Sequence, residues 1–461
     1  MGTLETDVRR RGRILSLAVL SCGVLPPVAA FGAQAQAALQ RAAALVQEGR
    51  LQEADQQAQL ALSDPATRAA ACSVLGAIRV RQDRLEDGAQ LLREAIRLDP
   101  HLLGARLNLA QIYTLQGSYQ RSLEVAKPLL EDPKRFREVT PAWFVSFAEV
   151  LVKGGLVAEG IDVLERARQA DPSSYELAFA LGGALLVKDD PARALEAYDA
   201  ALAVKPASVT ALRQAASVAE RHGELERSLS YWMRARKLAG DDPEILLGFG
   251  RVCLKMDLLD DAQLPLTRAA ELKPGELAYQ YTLAVAKVGK RQYEAAQGLL
   301  EPLVEKRPGD AQLQYALGSV LYMQGHLAEA DARLRESLRL DADQVASPYY
   351  IALVARDQGR DAEAIERLED LLRRYPDHAS SCEALGGLLM NGRRYAEAER
   401  LLRRAVELNP KSVKANYQLG LLLARTGRRE EADKQLAMAK SLREEDDATS
   451  RLQLRLRDAD Q

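Results

Sequence analysis

Tyr281, Tyr315 and Tyr349 stand 34 residues apart, and Tyr417 resumes the series after Glu383 interrupts it. Tyr322 lies seven residues beyond Tyr315. Phenol rings gathered on one wall offer apolar area together with hydroxyl donors, the combination that binding interfaces favour. That chemistry is recognition rather than bond breaking. The same rings would also serve to pack neighbouring structural elements, and the two readings stand side by side at this level. Further back, Arg213, Glu244 and Arg251 make a more charged stretch.

Residues suited to catalysis do not converge. The four histidines, His101, His222, His326 and His378, fall between helical stretches, and none is spaced from another His, Cys or carboxylate as a metal ligand would be. No GxSxG elbow, Gly-rich phosphate loop or HExxH occurs. Asp189-Asp190-Pro191 reads as the capped start of a helix rather than a metal-binding scrap. No enzyme activity, metal or cofactor is expected. The formal net charge of −2 carries no basic footprint for nucleic acid.

The elements that must position these residues are legible as a period. Prolines 172, 206, 274, 308, 376 and 410 share one 34-residue register, with Gly240 and Ala342 in its vacancies. If proline is position 32, position 8 is Ala or Gly in every repeat, from Ala42 and Gly76 to Gly386 and Gly420. Position 20 is equally small, as in Ser122, Gly160, Ser228, Ala296 and Ala398. Small residues there mean two helices crossing at close range. Leu75, Leu109, Leu181, Leu283, Leu317, Leu385 and Leu419 occupy position 7, and Leu92, Tyr198, Trp232, Leu300 and Leu402 occupy position 24. Their spacings of three, four and seven residues are helical. Gly49, Gly117, Gly223, Gly325, Gly359, Gly392 and Gly427 fall between the two helical stretches, where positive φ is needed. A fixed period of this length predicts an all-α solenoid of helix–turn–helix units.

Runs such as Leu181-Gly182…Ala194…Tyr198…Ala201…Pro206 resemble the tetratricopeptide repeat, and the likeness covers about residues 36–444 in some twelve copies. The resemblance implies a right-handed superhelical α-solenoid whose first helices line a concave groove through positions 2, 5, 9 and 12. It thereby implies a groove bearing Tyr281, Tyr315, Tyr322, Tyr349, Tyr417, Arg213, Arg251 and Glu244. The chaperone-tail clamp of some family members is not expected. Asn108 matches its middle requirement, but Ser73, Ala77, Ala142 and Ser146 stand where Lys, Asn and basic residues would be needed.

Residues 1–35 lie outside the array. Arg9, Arg10, Arg11 and Arg13 precede an apolar run from Ile14 to Leu25, and Ala33-Gln34-Ala35 supplies small residues at cleavage spacing. That order predicts a secretory signal peptide, with a run too short to span a bilayer. Cys22, in Val19-Leu20-Ser21-Cys22, offers lipidation as the alternative. Cys72, Cys253 and Cys382 are separated by several repeats and are not expected to bridge. Extra residues at 134–140 lengthen one connection, helix bends are expected at Pro128, Pro265 and Pro302, and 445–461 form a short tail. The expectation is a non-catalytic scaffold of the bacterial periplasm or envelope, exported or secreted, holding protein or peptide segments. The alternative is an accessory binding subunit of an envelope polysaccharide synthesis or secretion complex. No membrane span is expected in the mature chain, and a lipid anchor would depend on Cys22.

Overall fold

The small residues at positions 8 and 20 do what their size suggests. A Cβ added to Gly182 would come 2.6 Å from the Tyr198 ring, and one added to Gly386 2.7 Å from Leu402. Gly76 meets Leu92, and Gly420 meets Leu436, in the same way. In these repeats position 8 of the first helix thus seats the large position-24 residue of its partner helix. At position 20, Ser122 and Ser228 are fully buried and donate their hydroxyls to the position-8 carbonyls of Ala110 and Ala216, at 2.6 and 2.8 Å. A larger side chain would hold the helices apart.

Repetition of this contact builds the chain. The computed structural model describes residues 30–132 and 138–459. Among the described residues there are 24 α-helices and no strands, from Ala30–Gln47 to Arg429–Ala459. Most form antiparallel pairs, and within each unit most second helices also pack on the first helix that follows. The chain divides into two compact units, 1–252 and 253–461, each a stack of such pairs. The core is a strip of Ala and Leu, with Ala54, Ala194, Ala296, Ala364 and Ala398 wholly enclosed.

Second helices end two residues before the register proline, because the residue ahead of proline is pushed out of helical conformation. Lys205 before Pro206 has φ −128° and ψ 80°, and Asn409 before Pro410 is similar. The proline carbonyl is then taken by position 4 of the next first helix: Gln314 Nε2 donates to Pro308 O at 2.9 Å and Asn416 Nδ2 to Pro410 O at 3.0 Å. Cys382 occupies the same position against Pro376. Cys72, Cys253 and Cys382 are all buried, as packing residues at those positions must be.

Six of the seven turn glycines expected at positive φ have it, at 71–83°. Gly392 does not: it caps its helix at φ −75°, and Arg393 takes the left-handed place at φ 62°. The turn keeps its phase there: Arg393, like Arg291 at φ 57°, stands at the repeat position the other glycines hold, and Gly392 lies one place too early. A left-handed non-glycine residue costs roughly 1–2 kcal/mol, of which glycine's extra unfolded freedom returns part. Arg393→Gly should therefore stabilise the chain by about 0.5–1 kcal/mol, read as a raised urea midpoint at unchanged slope. Asp189 is also left-handed, and Asp190 caps the helix Pro191–Val204 by accepting from the Arg193 amide at 3.2 Å.

Pro128, Pro265 and Pro302 sit inside their helices. Of the lengthened connection, 134–137 lie outside the described residues, while Val139 is buried and Thr140 leads into Pro141–Lys153. Most of the predicted signal peptide, with Cys22, also lies outside them, and the helix Ala30–Gln47 runs through Ala33-Gln34-Ala35. The last helix continues through the tail to Ala459. No described helix is long and apolar enough to cross a membrane.

Candidate functional site

In the unit 253–461 the tyrosines sit on three consecutive first helices, Leu277–Gly289, Ala311–Met323 and Ala346–Asp357. Each position-5 ring is half-buried and leans on the repeat that follows. The Tyr281 hydroxyl accepts from Gln312 Nε2 at 2.9 Å. Tyr315 lies against Tyr350, with ring centroids 5.9 Å apart and the rings tilted by 59°. Tyr349 lies edge-on to His378 at 5.5 Å. Tyr322 crosses Tyr350 at 5.5 Å and 71°; its hydroxyl donates to Asp357 Oδ2 at 2.8 Å and accepts from Arg356 at 3.1 Å. Tyr417 stands apart at 51 % exposure.

Tyr350, at the centre of this cluster, was not singled out in the sequence. Its signal is that Tyr349-Tyr350 is the one tyrosine doublet in the chain. His378, Gln312 and the Arg356–Asp357 pair were missed for the same reason: they belong to the site only through their contact with a tyrosine in the repeat before.

In the unit 1–252, Arg213 pairs with Glu244 and reaches Asp242 at 3.9 Å. Arg251 grips the buried Glu220 with two bonds, at 2.7 and 2.5 Å. In the other unit Glu383 is held by Lys414 at 2.6 Å and Ser412 at 2.9 Å. Four of these contacts share one offset: Arg213–Glu244, Glu220–Arg251, Tyr281–Gln312 and Glu383–Lys414 each join residues 31 apart. The first-helix face is thus cross-tied from repeat to repeat, and the predicted site charges are answered within it.

Burial pushes the Tyr315 and Tyr349 phenols up to about 12. Burial and the bond to Asp357 also raise Tyr322. Burial works against the Asp357 carboxylate, but the Arg356 and Tyr322 bonds outweigh it and hold it below the usual range. Burial alone lowers His378. At neutral pH the hydroxyls are therefore intact donors. Tyr198, almost fully enclosed, is likewise raised to about 12 by burial. A raised tyrosine contributes stability that is complete below its unfolded pKa, about 10, and lost as pH rises through the folded value. The urea midpoint should accordingly fall between about pH 10 and 12, together with the rise in tyrosinate absorbance. A midpoint already falling at pH 8 would contradict this.

Among the described residues no group of three or more His, Cys, Asp or Glu side chains is placed to hold a metal ion. The profile of the tetratricopeptide repeat matches residues 74–133, 146–209, 184–243, 281–345, 349–399 and 383–440, more than half of the chain. Among solved structures, a tetratricopeptide repeat protein from Parabacteroides merdae ATCC 43184 is similar at 17 % identity, covering 50 % of this chain and 91 % of its own, TM-score 0.42. YrrB, described as a TPR protein with an unusual peptide-binding site, is 18 % identical over 40 % of this chain and 95 % of its own, TM-score 0.37. The APC/C hetero-tetramer Cut9–Hcn1 gives 12 % identity, 87 % and 92 % coverage, and TM-score 0.44. Comparison with curated proteins gives no match. The 34-residue register, the seating of position 24 on position 8 and the six matched segments have one explanation: this chain belongs to the tetratricopeptide repeat family.

Proposed function

We propose that the protein is a non-catalytic scaffold that binds peptide or protein segments on the first-helix face of residues 253–461. The observation that carries this is the tyrosine cluster. Four rings, Tyr315, Tyr322, Tyr349 and Tyr350, meet at 5.5–5.9 Å across two neighbouring first helices and keep part of their surface open. Tyr198, by contrast, is almost wholly enclosed. Half-open aromatic rings with protonated hydroxyls suit a partner that is partly apolar and accepts hydrogen bonds.

The proposed setting is the bacterial periplasm or envelope, supported by the basic start, the apolar run and Ala33-Gln34-Ala35. Intact-mass measurement of the exported protein should show a loss of about 35 residues, as signal cleavage requires. A full-length soluble cytoplasmic product would end the export proposal. Pull-down from envelope extract with the mature chain tests the function. An assembly or transport protein lost from a Tyr315→Ala/Tyr349→Ala bait supports the scaffold, whereas a glycan synthase retained by that bait contradicts the tyrosine face.

A further inference from the structure

The acceptors and donors of the tyrosine face are unequally committed. Asp357 is occupied by Arg356 and Tyr322, and Glu383 by Lys414 and Ser412. These carboxylates are the groups that would receive the backbone N–H of an ordinary extended peptide. The donors are freer. The Tyr281 hydroxyl accepts from Gln312, which leaves its own proton to give. Among the described residues nothing is seen to bond the Tyr349 hydroxyl, although its ring is held against Tyr350 and His378. The charges cancel in place, Arg356 on Asp357 and Lys414 on Glu383, so the face attracts neither an acidic nor a basic tail.

A chain that accepts hydrogen bonds but donates few, carries no charge and presents flat apolar rings is rich in proline, which lacks the N–H. Polyproline II has no internal hydrogen bonds and advances about 3.1 Å per residue with three residues per turn, roughly 9 Å per turn. Packed helices lie about 8–10 Å apart, and the first helices Ala311–Met323 and Ala346–Asp357 touch directly. Tyr315 and Tyr349, one on each of these two helices, would therefore meet successive turns of such a ligand. Crossed rings, 59° between Tyr315 and Tyr350 and 77° between Tyr349 and Tyr350, leave notches between them rather than a flat stacking platform.

We propose that this face recognises an uncharged, proline-rich segment in the polyproline II conformation. The inference rests on the reading of the face as a peptide-binding surface. The test is selection from a random dodecapeptide library on the intact exported chain, on Tyr349→Phe and on Tyr315→Ala/Tyr349→Ala, with folding of each checked by circular dichroism. The expected result is enrichment of proline at three-residue spacing. Affinity for the enriched peptide should fall about five- to tenfold in Tyr349→Phe, the loss of one donor, and by far more in the double variant. Enrichment of proline-free or charged peptides that still depends on the tyrosines would overturn this inference and leave the peptide-binding reading intact. If no enrichment depends on the tyrosines, both fall, and an oligosaccharide array binding the same chain would show the face to be a glycan site instead.

Discussion

Replacing Tyr281, Tyr315 and Tyr349 together by alanine should weaken partner binding by about a hundredfold to ten-thousandfold, since interface aromatics commonly carry about 1–2 kcal/mol each. Stability should fall too, because Tyr281 and Tyr315 pack on the core cluster that holds Leu317 and Leu334, and Tyr349 packs on the neighbouring one. The two effects separate by chemistry. The triple phenylalanine variant keeps the ring packing and removes the hydroxyls, so it should melt close to the parent yet bind more weakly. Titrations well below the melt, where every variant is folded, read binding alone. Unchanged affinity of the folded alanine variant there would reduce the tyrosines to packing residues.

Gly318→Leu should be among the most damaging single changes in the unit 253–461. A Cβ at this position already lies 2.8 Å from Leu334 Cγ and 3.2 Å from its backbone nitrogen, and the remaining three carbons of leucine have nowhere to go. Overpacking of this kind costs about 1–3 kcal/mol or more. Ala296, wholly buried at position 20, should respond similarly when enlarged to leucine. Each pair in a repeat array packs only on its neighbours, so the loss of hydrogen-exchange protection should centre on Ala311–Met323 and Leu327–Leu340. Equal loss at Arg68–Arg81 would contradict a one-dimensional stack.

The register was readable because it is written in steric terms that repeat. Gly at position 8 and Leu or Tyr at position 24 are two halves of one contact, restated at Gly76, Gly182, Gly318, Gly386 and Gly420. Exceptions arose where chemistry is local. Arg393 takes the left-handed place because the 34-residue register puts that place at 393, between Gly359 and Gly427, while Gly392 stands one residue ahead of it. The site was only half legible. Tyr281, Tyr315 and Tyr349 announced themselves by spacing, but their partners sit one repeat later at offsets the period does not encode: Tyr350 from Tyr315, and His378 from Tyr349. Arg213 and Arg251 read as available charges, yet each finds its acid 31 residues away. A search at that offset would have paired them.

The central claim is that partners touch the first-helix face of residues 253–461. Site-specific photocrosslinking in living cells tests it most directly. A benzophenone side chain would replace Tyr281 or Tyr349 on that face, or Leu264 on the second helix Leu259–Leu272, where it is 78 % exposed. A discrete partner adduct is expected from positions 281 and 349 and none from 264. An adduct confined to position 264, with the tyrosine positions silent, would contradict it.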